Sequence, residues 1–354
     1  MQTKYIKLNE ENFKESMEEA GKILKEGGLV GFPTETVYGL GGDALQATSS
    51  EKIYAAKGRP SDNPLIVHIC ELDDLYQIAD QISEEAIALA KAFWPGPLTM
   101  ILNKKECVPL ETTGGLSTVA VRMPSHPAAR ALIKAGGGFI AAPSANTSGR
   151  PSPTKAEHVA EDLDGKIDMI LDGGDVGIGL ESTIVDLTEG KATILRPGYI
   201  TAQMMEDVIG EVKMDPALMV VTGDQRPKAP GMKYRHYAPK AQMYLVKGEN
   251  EAVIRKIMSL AEEAKKLGKK VGILCAKESE ARYSYGVKEC LGSRDNEEEI
   301  ASNLFDVLRK FDHMDVDVIY SEWFDAPGIG LAVMNRMLKA AGHQIIQASE
   351  GEDI

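Results

Sequence analysis

Residues 29–39 read LVGFPTETVYG, a short apolar run that passes directly into a polar turn ending in glycine. The apolar run predicts a buried strand over Leu29–Phe32, with the turn at its end. In α/β proteins, ligands commonly bind where glycine- and proline-rich loops follow buried strands, because the backbone can approach a ligand closely there. This stretch therefore favours an α/β fold with a ligand site at the end of the strand.

Three further polar clusters stand at the ends of apolar runs: Lys57-Gly58-Arg59-Pro60, Ser144-Ala145-Asn146 and Glu181-Ser182-Thr183. Between the clusters, strand-like runs alternate with helix-like periodicity. We predict a mixed, twisted β-sheet of seven or more strands with flanking helices, one of them capped by Ser49 or Ser50. The four polar clusters together describe one candidate site.

The chain of 354 residues is long enough for two domains of unequal size. Residues 213–243 lose the periodicity and contain four prolines, which indicates a linker or a functional lid. From residue 244 a βαβαβα rhythm predicts a smaller, Rossmann-like three-layer α/β domain with a parallel sheet. We therefore predict domains at 1–212 and 244–354, joined by a linker or lid at 213–243.

Charge and composition argue against several classes of function, including bulk nucleic-acid binding and membrane insertion. The net charge of −13 is distributed as −12 over residues 1–212, +4 over 213–243 and −5 over 244–354. Bulk nucleic-acid binding needs many cations on one face, whereas a small anionic ligand needs only a few. No run is apolar enough to span a membrane and the polar start has no signal region, so we expect a cytoplasmic protein. The four cysteines lack zinc-ligand spacing, and we expect buried free thiols.

The common nucleotide-binding loops are missing from the sequence. It contains neither a G-x-x-x-x-G-K-[ST] loop nor a G-x-G-x-x-G fingerprint in strand-to-helix context. A nucleotide would therefore have to be held by side chains. Lys57 and Arg59 have two interpretations: solvated cations at a helix end, or, through the turn made by Gly58 and Pro60, cations aimed at one phosphate chain.

Other polar residues near strand ends also have two interpretations each. Ser144 and Asn146 are turn residues or donors to a phosphate. Arg122 makes a surface salt bridge or binds a carboxylate through its guanidinium fork. His68, within an apolar strand, is a core histidine or a catalyst. The sequence has no convincing Ser/His/Asp set or acid–base pair of carboxylates, so we expect a site that binds and orients its substrates.

The strip from Pro230 to Pro239, PGMKYRHYAP, interleaves cations with two tyrosines. Such a strip suits stacking on a base or covering a phosphate. It is either a plain linker or a lid that closes over an anionic ligand. The local positive charge and the bracketing prolines favour the lid, which would exclude water from a reactive intermediate.

Eight motifs carry a resemblance to a known family. They are FPTETVYGLG (32–41), KGRP (57–60), NPLIVH (63–68), WPGPLT (94–99), APSANTSG (142–149), ESTIVD (181–186), LRPG (195–198) and PGMKYRHYAP (230–239). In this order they closely resemble the threonylcarbamoyl-AMP synthases of the two-domain form. In that form a YrdC-like catalytic domain is joined by a linker to a smaller Rossmann-like domain, and the resemblance covers nearly the whole chain.

The resemblance implies a nucleotidyltransferase reaction. L-Threonine and bicarbonate or CO2 give N-carboxythreonine, whose carboxylate attacks the α-phosphate of ATP, bound with Mg²⁺, and expels pyrophosphate. The product, L-threonylcarbamoyladenylate, then serves the threonylcarbamoyladenosine modification of tRNA next to the anticodon, through downstream transfer proteins. The implied partners are thus small molecules and those proteins, with no membrane and no stable nucleic-acid binding.

The resemblance also implies the site residues. The residues expected around L-threonine are Thr36, His68, Arg122, Ala142 and Ser182, with Arg122 on the carboxylate. The residues expected around ATP or its AMP part are Lys57, Arg59, Asn63, Thr118, Ser144, Asn146, Ser152, Arg196 and Tyr234. Among them, Lys57 and Arg59 would act in catalysis by offsetting the charge that develops on the α-phosphate. Tyr234 would close over the nucleotide, and neighbouring hydroxyls such as Thr34 and Thr36 could exchange roles.

Two other functions are weighed against this one. YrdC-like domains present a concave, locally basic face, which suits an RNA-binding module, but the acidic total and the lack of stacking aromatics on the strands count against it. A carbamoyltransferase of the hydrogenase-maturation type would carry zinc-finger cysteines and an acylphosphatase region, and neither pattern is present.

Overall fold

The computed structural model describes residues 2–218, 227–230, 236–324 and 327–349. The chain divides into two compact units. The first contains Met1–Ser148 and Ser152–Tyr234, and the second contains Gly149–Pro151 and Arg235–Ile354. The finer division at 1–212, 213–243 and 244–354 stays a prediction.

In the described part of the first unit, twelve strands form one mixed sheet. In chain order they are β1 (Lys4–Lys7), β2 (Val30–Phe32), β3 (Gly39–Asp43), β4 (Ile66–His68), β5 (Ala79–Asp80), β6 (Leu98–Lys104), β7 (Thr118–Arg122), β8 (Ile140–Ala141), β9 (Met169–Asp172), β10 (Thr183–Asp186), β11 (Thr193–Arg196) and β12 (Lys213–Met214). Hydrogen bonds join them in the order β1-β9-β2-β3-β8-β4-β7-β6-β10-β11-β12, and β5 pairs with β6. The predicted mixed α/β sheet is confirmed.

Strand β3 lies directly after the polar turn, where the sequence pattern indicated a loop. Its segment, GLGGD, pairs antiparallel with β2 because its glycines let the two backbones and the Phe32 ring approach closely. A Cβ on Gly39 would lie 3.0 Å from the Phe32 ring, and one on Gly41 would lie 2.9 Å from the Ile140 side chain. The polar turn of residues 33–38 is therefore held between two paired strands.

Helices flank this sheet. In the described residues they are α1 (Phe13–Lys25), α2 (Ala47–Lys57), α3 (Leu75–Ile78), α4 (Glu84–Phe93), α5 (Pro127–Ala135), α6 (Ala156–Leu163) and α7 (Ala202–Ile209). The predicted cap at Ser49 or Ser50 is wrong, because α2 begins earlier, at Ala47, and both serines are buried within it. Neither serine side chain is at the helix end, where a cap would accept from the first free N–H groups.

The two faces of the sheet are covered differently. One face packs into the main core through residues such as Val67, Met100 and Val121. The opposite face carries a small apolar cluster of six residues, which are Ile66, Ile101, Ala120, Ile184, Leu195 and Ala229. We call this second face the site face. Because successive side chains of a strand point to opposite faces, residues two positions from a cluster member on the same strand lie on the site face.

The described part of the second unit contains a parallel sheet of five strands. They are β13 (Gln242–Lys247), β14 (Val271–Cys275), β15 (Val287–Cys290), β16 (Val318–Glu322) and β17 (Ile345–Gln347), in the order β15-β14-β16-β13-β17. The helices are α8 (Asn250–Lys266), α9 (Glu297–His313) and α10 (Ile329–Ala340). The predicted Rossmann-like parallel sheet is confirmed, with β15 and β17 added to the three expected strands. Both added strands are short and mostly exposed, so their sequences lack the apolar runs of buried parallel strands.

Part of the 230–239 strip belongs to the core of the second unit. Tyr237 is buried and stacks on Phe305, with ring centroids 5.2 Å apart. The guanidinium of Arg336 lies 5.7 Å from the centre of the Tyr237 ring. Tyr234, the residue expected to close over the nucleotide, lies outside the described residues.

Two expectations from composition concern membrane spans and cysteines. Within the described ranges, no helix is both long enough and apolar enough to cross a membrane. The four cysteines are free thiols, but only Cys70 and Cys275 are buried. Cys290 is partly exposed and Cys107 is exposed, so the expectation of four buried thiols is wrong for these two.

Candidate active site

Five residues from neighbouring strands form a row across the site face. The strand register pairs His68 with Arg122, Arg122 with Thr99, Thr99 with Ile184, and Ile184 with Arg196. Since neighbouring strands lie about 4.8 Å apart, the row spans about 19 Å. His68, Arg122 and Thr99 each lie two residues from a member of the apolar cluster. Arg196 follows the cluster member Leu195, but a bulge in the pairing of β10 with β11 lets it face the same side. The row therefore places polar side chains along one border of that cluster.

Ser182, immediately before β10, is bound into this row. Its Oγ lies 2.7 Å from Thr99 Oγ1. Arg196 donates from Nη2 to Ser182 Oγ at 3.2 Å and from Nε to the Ser182 carbonyl at 3.1 Å. A residue expected around threonine and one expected around the nucleotide are thus in direct contact.

Arg122, at the centre of the row, is paired with a residue that sequence reasoning missed. Its Nη2 lies 2.7 Å from Oε1 of Glu35, and only 5% and 14% of the two side chains are exposed. The salt bridge considered for Arg122 thus exists but is buried. Burial alone would raise the pKa of the Glu35 carboxyl, but the Arg122 charge beside it holds that pKa below its usual range. In the sequence, the one sign of this role for Glu35 was a single carboxylate in a turn between two apolar segments.

The ion pair with Glu35 involves the Nη2 atom of Arg122 and not its Nε atom. The Nε atom is buried and has no hydrogen-bond partner among the described residues. A buried donor without a partner costs free energy, so such a group suits a ligand that supplies an acceptor.

His68 is neutral at physiological pH. It is 3% exposed, and its Nδ1 lies 3.1 Å from the Ile66 carbonyl, which can only accept a hydrogen bond. Its ring meets Phe32 edge-on, with centroids 6.3 Å apart. Burial, assisted by the charge of Arg122, lowers the pKa of His68 to about 3. The imidazole therefore adds no positive charge to the row.

The turn after β2 presents Thr36. Thr34 Oγ1 donates to the Val37 carbonyl at 2.6 Å and accepts from the backbone N–H groups of Thr36 and Val37 at 3.1 and 3.2 Å. The hydroxyl of Thr34 thus builds the turn itself. This arrangement favours Thr36, whose Oγ1 lies 2.9 Å from that of Thr34, as the ligand of the pair. Ala142, just after β8, is buried and donates its N–H to the Ile66 carbonyl at 2.9 Å.

The end of α2 meets the loop that follows β8. Lys57 is 2% exposed and donates from Nζ to the carbonyl oxygens of Ser144 and Asn146, each at 2.5 Å. Ser144 Oγ donates to Asn146 Oδ1, also at 2.5 Å. The interpretation of Lys57 as a solvated helix-end cation is therefore wrong. The structure brings together three of the residues expected around the nucleotide.

Arg59 organises the turn beyond the helix. Gly58 has φ = 62°, a left-handed conformation that glycine adopts without strain and that ends α2. Arg59 then donates to the carbonyls of Asn63 and Pro64 at 3.2 and 3.0 Å. The Asn63 Oδ1 atom is buried and has no hydrogen-bond partner in the described residues. Arg59 is also buried, so it too is not a solvated cation.

Ser152 and Thr118 lie in different places relative to the row. Ser152 Oγ donates to Glu181 Oε1 at 2.5 Å, which connects it to the residue before Ser182. Thr118 begins β7, four residues before Arg122 on the same face, and is therefore about 13 Å from it along the strand. The structure does not bring Thr118 into the row.

A segment near residue 230 lies against the site face. Ala229 is fully buried in the apolar cluster, whose other members come from strands β4, β6, β7, β10 and β11. Its neighbour Lys228 is paired with Glu189 at 2.5 Å and lies 3.8 Å from Asp186. The chain that leads into the basic strip is thus anchored on the sheet of the first unit. Whether residues 231–235 form a lid stays a prediction, because they are outside the described residues.

Comparison with known families gives two matches along the chain. A family described as "Telomere recombination" (Sua5/YciO/YrdC) matches residues 22–198. A second, described as "Threonylcarbamoyl-AMP synthase, C-terminal domain", matches residues 200–342.

Comparison with individual proteins gives full-length relatives. The threonylcarbamoyl-AMP synthase of Pyrococcus abyssi is 51% identical over 341 residues, covering 95% of this chain and 98% of that protein. That of Bacillus subtilis is 48% identical over 330 residues, covering 93% and 94%. The crystal structure of P. abyssi Sua5 complexed with L-threonine matches with a TM-score of 0.92 and 49% identity, over 99% of this chain and 100% of that one.

Proposed function

The chain belongs to the threonylcarbamoyl-AMP synthase family, and on this premise we propose that it converts L-threonine, bicarbonate or CO2, and ATP into L-threonylcarbamoyladenylate and pyrophosphate. Membership makes it a nucleotidyltransferase of tRNA modification. We propose that downstream transfer proteins use its product to form threonylcarbamoyladenosine next to the anticodon.

The observation that carries this proposal is the buried Arg122 with its unpartnered Nε, in register with His68 and Thr99. A guanidinium with an unpartnered N–H donor suits a carboxylate, as threonine provides. Hydroxyls for the threonine side chain are available from Thr36 and from Ser182, which contacts Thr99. The solved P. abyssi relative, whose title states a complex with L-threonine, supports the same substrate.

We propose that the nucleotide is held beside these residues by Lys57, Arg59 and the loop of Ser144 and Asn146. Asn63, Thr118, Ser152, Arg196 and Tyr234 complete the proposed nucleotide ligands. In the reaction, the carboxylate of N-carboxythreonine forms a bond to the α-phosphorus of ATP while the bond to pyrophosphate breaks. Preorganised cations lower the barrier by offsetting the charge on the α-phosphate, and positioning supplies the rest.

Mg²⁺ is proposed to enter with ATP. Among the described residues, no group of three or more His, Cys, Asp and Glu side chains is placed to hold a metal ion. Mg²⁺ commonly binds through substrate phosphates, waters and only one or two carboxylates, so this site is compatible with an ion carried by the nucleotide. The expected cytoplasmic location likewise stays a prediction.

Pyrophosphate release tests the proposal. Purified protein is mixed with ATP, Mg²⁺, L-threonine and bicarbonate, and each component is omitted in turn. We expect release only in the complete mixture, with the adenylate as co-product by mass spectrometry. Release without threonine, or no release at all, would contradict the proposal. Tight tRNA binding that falls steeply with salt would then favour the RNA-binding module instead.

A further inference from the structure

The ion pair of Glu35 and Arg122 includes a carboxylate to which the proposed threonine site gives no role so far. Two opposite charges are buried side by side, 2.7 Å apart. Removing two charges from water is expensive, and a buried pair alone often contributes little to stability. A pair kept under these conditions at the centre of the site face therefore suggests a function in binding.

The backbone around Glu35 is held firmly in place. The Glu35 carbonyl accepts from Ile178 N–H at 2.9 Å, and the Thr36 carbonyl accepts from Gly179 N–H at 3.1 Å. On the other side, Thr34 Oγ1 closes the turn. Because both backbone flanks are fixed and the carboxylate is paired with Arg122, the carboxylate is oriented before any ligand arrives, which reduces the entropy lost on binding.

The charge pattern fits a zwitterion. L-Threonine carries a carboxylate and an ammonium group on the same carbon atom, so it presents opposite charges at a short spacing. Arg122 has an unused donor for the carboxylate. Glu35 is an acceptor for the ammonium group, and the neutral His68 beside Arg122 does not repel it.

We propose that Glu35 binds the ammonium group of L-threonine and thereby makes the site specific for an α-amino acid over the corresponding 2-hydroxy acid. This inference rests on the proposed function, since it assigns a new contact to the same substrate. Ammonium binding also holds the nitrogen atom at a defined position. After the ammonium group loses one proton to solvent, the nitrogen lone pair forms the bond to the carbon of CO2, a C=O π bond becomes a lone pair on a carboxylate oxygen, and a second N–H proton leaves to solvent, which gives the N-carboxylate.

The test compares two ligands that differ only at this group. Binding of L-threonine and of (2S,3R)-2,3-dihydroxybutanoate, in which a hydroxyl replaces the ammonium, is measured by calorimetry near neutral pH. The proteins are wild type, Glu35→Gln and, as a control, Glu26→Gln, which removes an exposed carboxylate from the same unit. Thermal unfolding checks that each variant is folded.

We expect the wild type to prefer threonine by about 10- to 100-fold, the range of one buried charge-assisted hydrogen bond. Glu35→Gln should lose most of that preference, while its affinity for the hydroxy acid is unchanged or higher because one negative charge is gone. Glu26→Gln should behave as wild type.

Equal weakening of both ligands in Glu35→Gln would overturn the inference, because it would make Glu35 only a counter-charge that positions Arg122. A wild type that binds both ligands equally would also overturn it, and this measurement needs no variant. A wild type that binds neither ligand, and releases no pyrophosphate, would contradict the proposed function itself and the inference with it.

Discussion

The amino group of Lys57 lies 2.5 Å from the carbonyl oxygen of Asn146, a residue 89 positions further along the chain. The contact ties the last residue of α2 to the loop after β8. Because Lys57 also donates to the Ser144 carbonyl, it orders the backbone of that loop. The lysine therefore has a structural task in addition to the contact with the nucleotide that we propose.

Replacing Lys57 should damage both stability and activity. Lys57→Met removes the lysine donor from one buried and one partly buried carbonyl, at a cost of up to about 1–3 kcal/mol each, and removes a proposed phosphate contact. We expect a lower free energy of unfolding by denaturant titration and pyrophosphate release below about 1% of wild type, the scale of a lost electrostatic contact in a transition state. The control is Lys52→Met on the same helix, which loses a partly buried contact to the Gly27 carbonyl outside the proposed site and should stay active. Wild-type release by folded Lys57→Met would remove this lysine from the mechanism.

Variants of Ser182 and Thr99 distinguish a residue proposed to contact threonine from a residue that only holds it in place. Ser182→Ala removes the proposed ligand, whereas Thr99→Val removes only its 2.7 Å hydrogen bond to Ser182. We expect the KM for threonine to rise by about 10-fold or more in Ser182→Ala and by about 2- to 10-fold in Thr99→Val. The KM for ATP should change less in both. Equal changes in the two KM values would instead indicate general loss of packing.

His68 should make stability depend on pH. Its pKa is lowered to about 3 in the folded protein, against about 6.5 in the unfolded chain. The unfolded state thus binds a proton first, so this contribution to stability is complete above about pH 6.5 and is lost as the pH falls toward 3, by up to about 1.4 kcal/mol per pH unit. Denaturant titrations of wild type and His68→Gln between about pH 6 and 4 should give a shallower decline for the variant. Parallel curves would show that His68 titrates normally in the fold.

Ala229 tests the segment that leads into the basic strip. Ala229→Asp would bury a charge in the apolar cluster of the site face, which should displace the segment from the sheet. We expect pyrophosphate release to fall by about 10-fold or more, with both units still folded by circular dichroism. The neighbouring Lys228→Gln breaks an exposed ion pair, worth about 0–1 kcal/mol, and should be nearly silent. Unchanged kinetics in Ala229→Asp would make the segment a passive tether.

Some parts of the fold were readable from local pattern and others were not. The parallel sheet of the second unit follows from alternating strand and helix periodicity. Strand β3 was not readable, because its glycine-rich segment looks like loop until Phe32 and Ile140 are packed against it. Ser49 and Ser50 look like caps in sequence, yet tertiary packing buries them within α2.

By itself, the sequence determined the fold class, the two kinds of sheet and, through eight ordered motifs, the family. Only the tertiary structure decided that Arg122 pairs with Glu35 and that Lys57 serves the loop of Asn146. It also decided the row in which His68, Arg122 and Thr99 lie side by side. The physical reason is that local periodicity reports which residues are apolar, whereas the register between strands depends on which distant segments become neighbours.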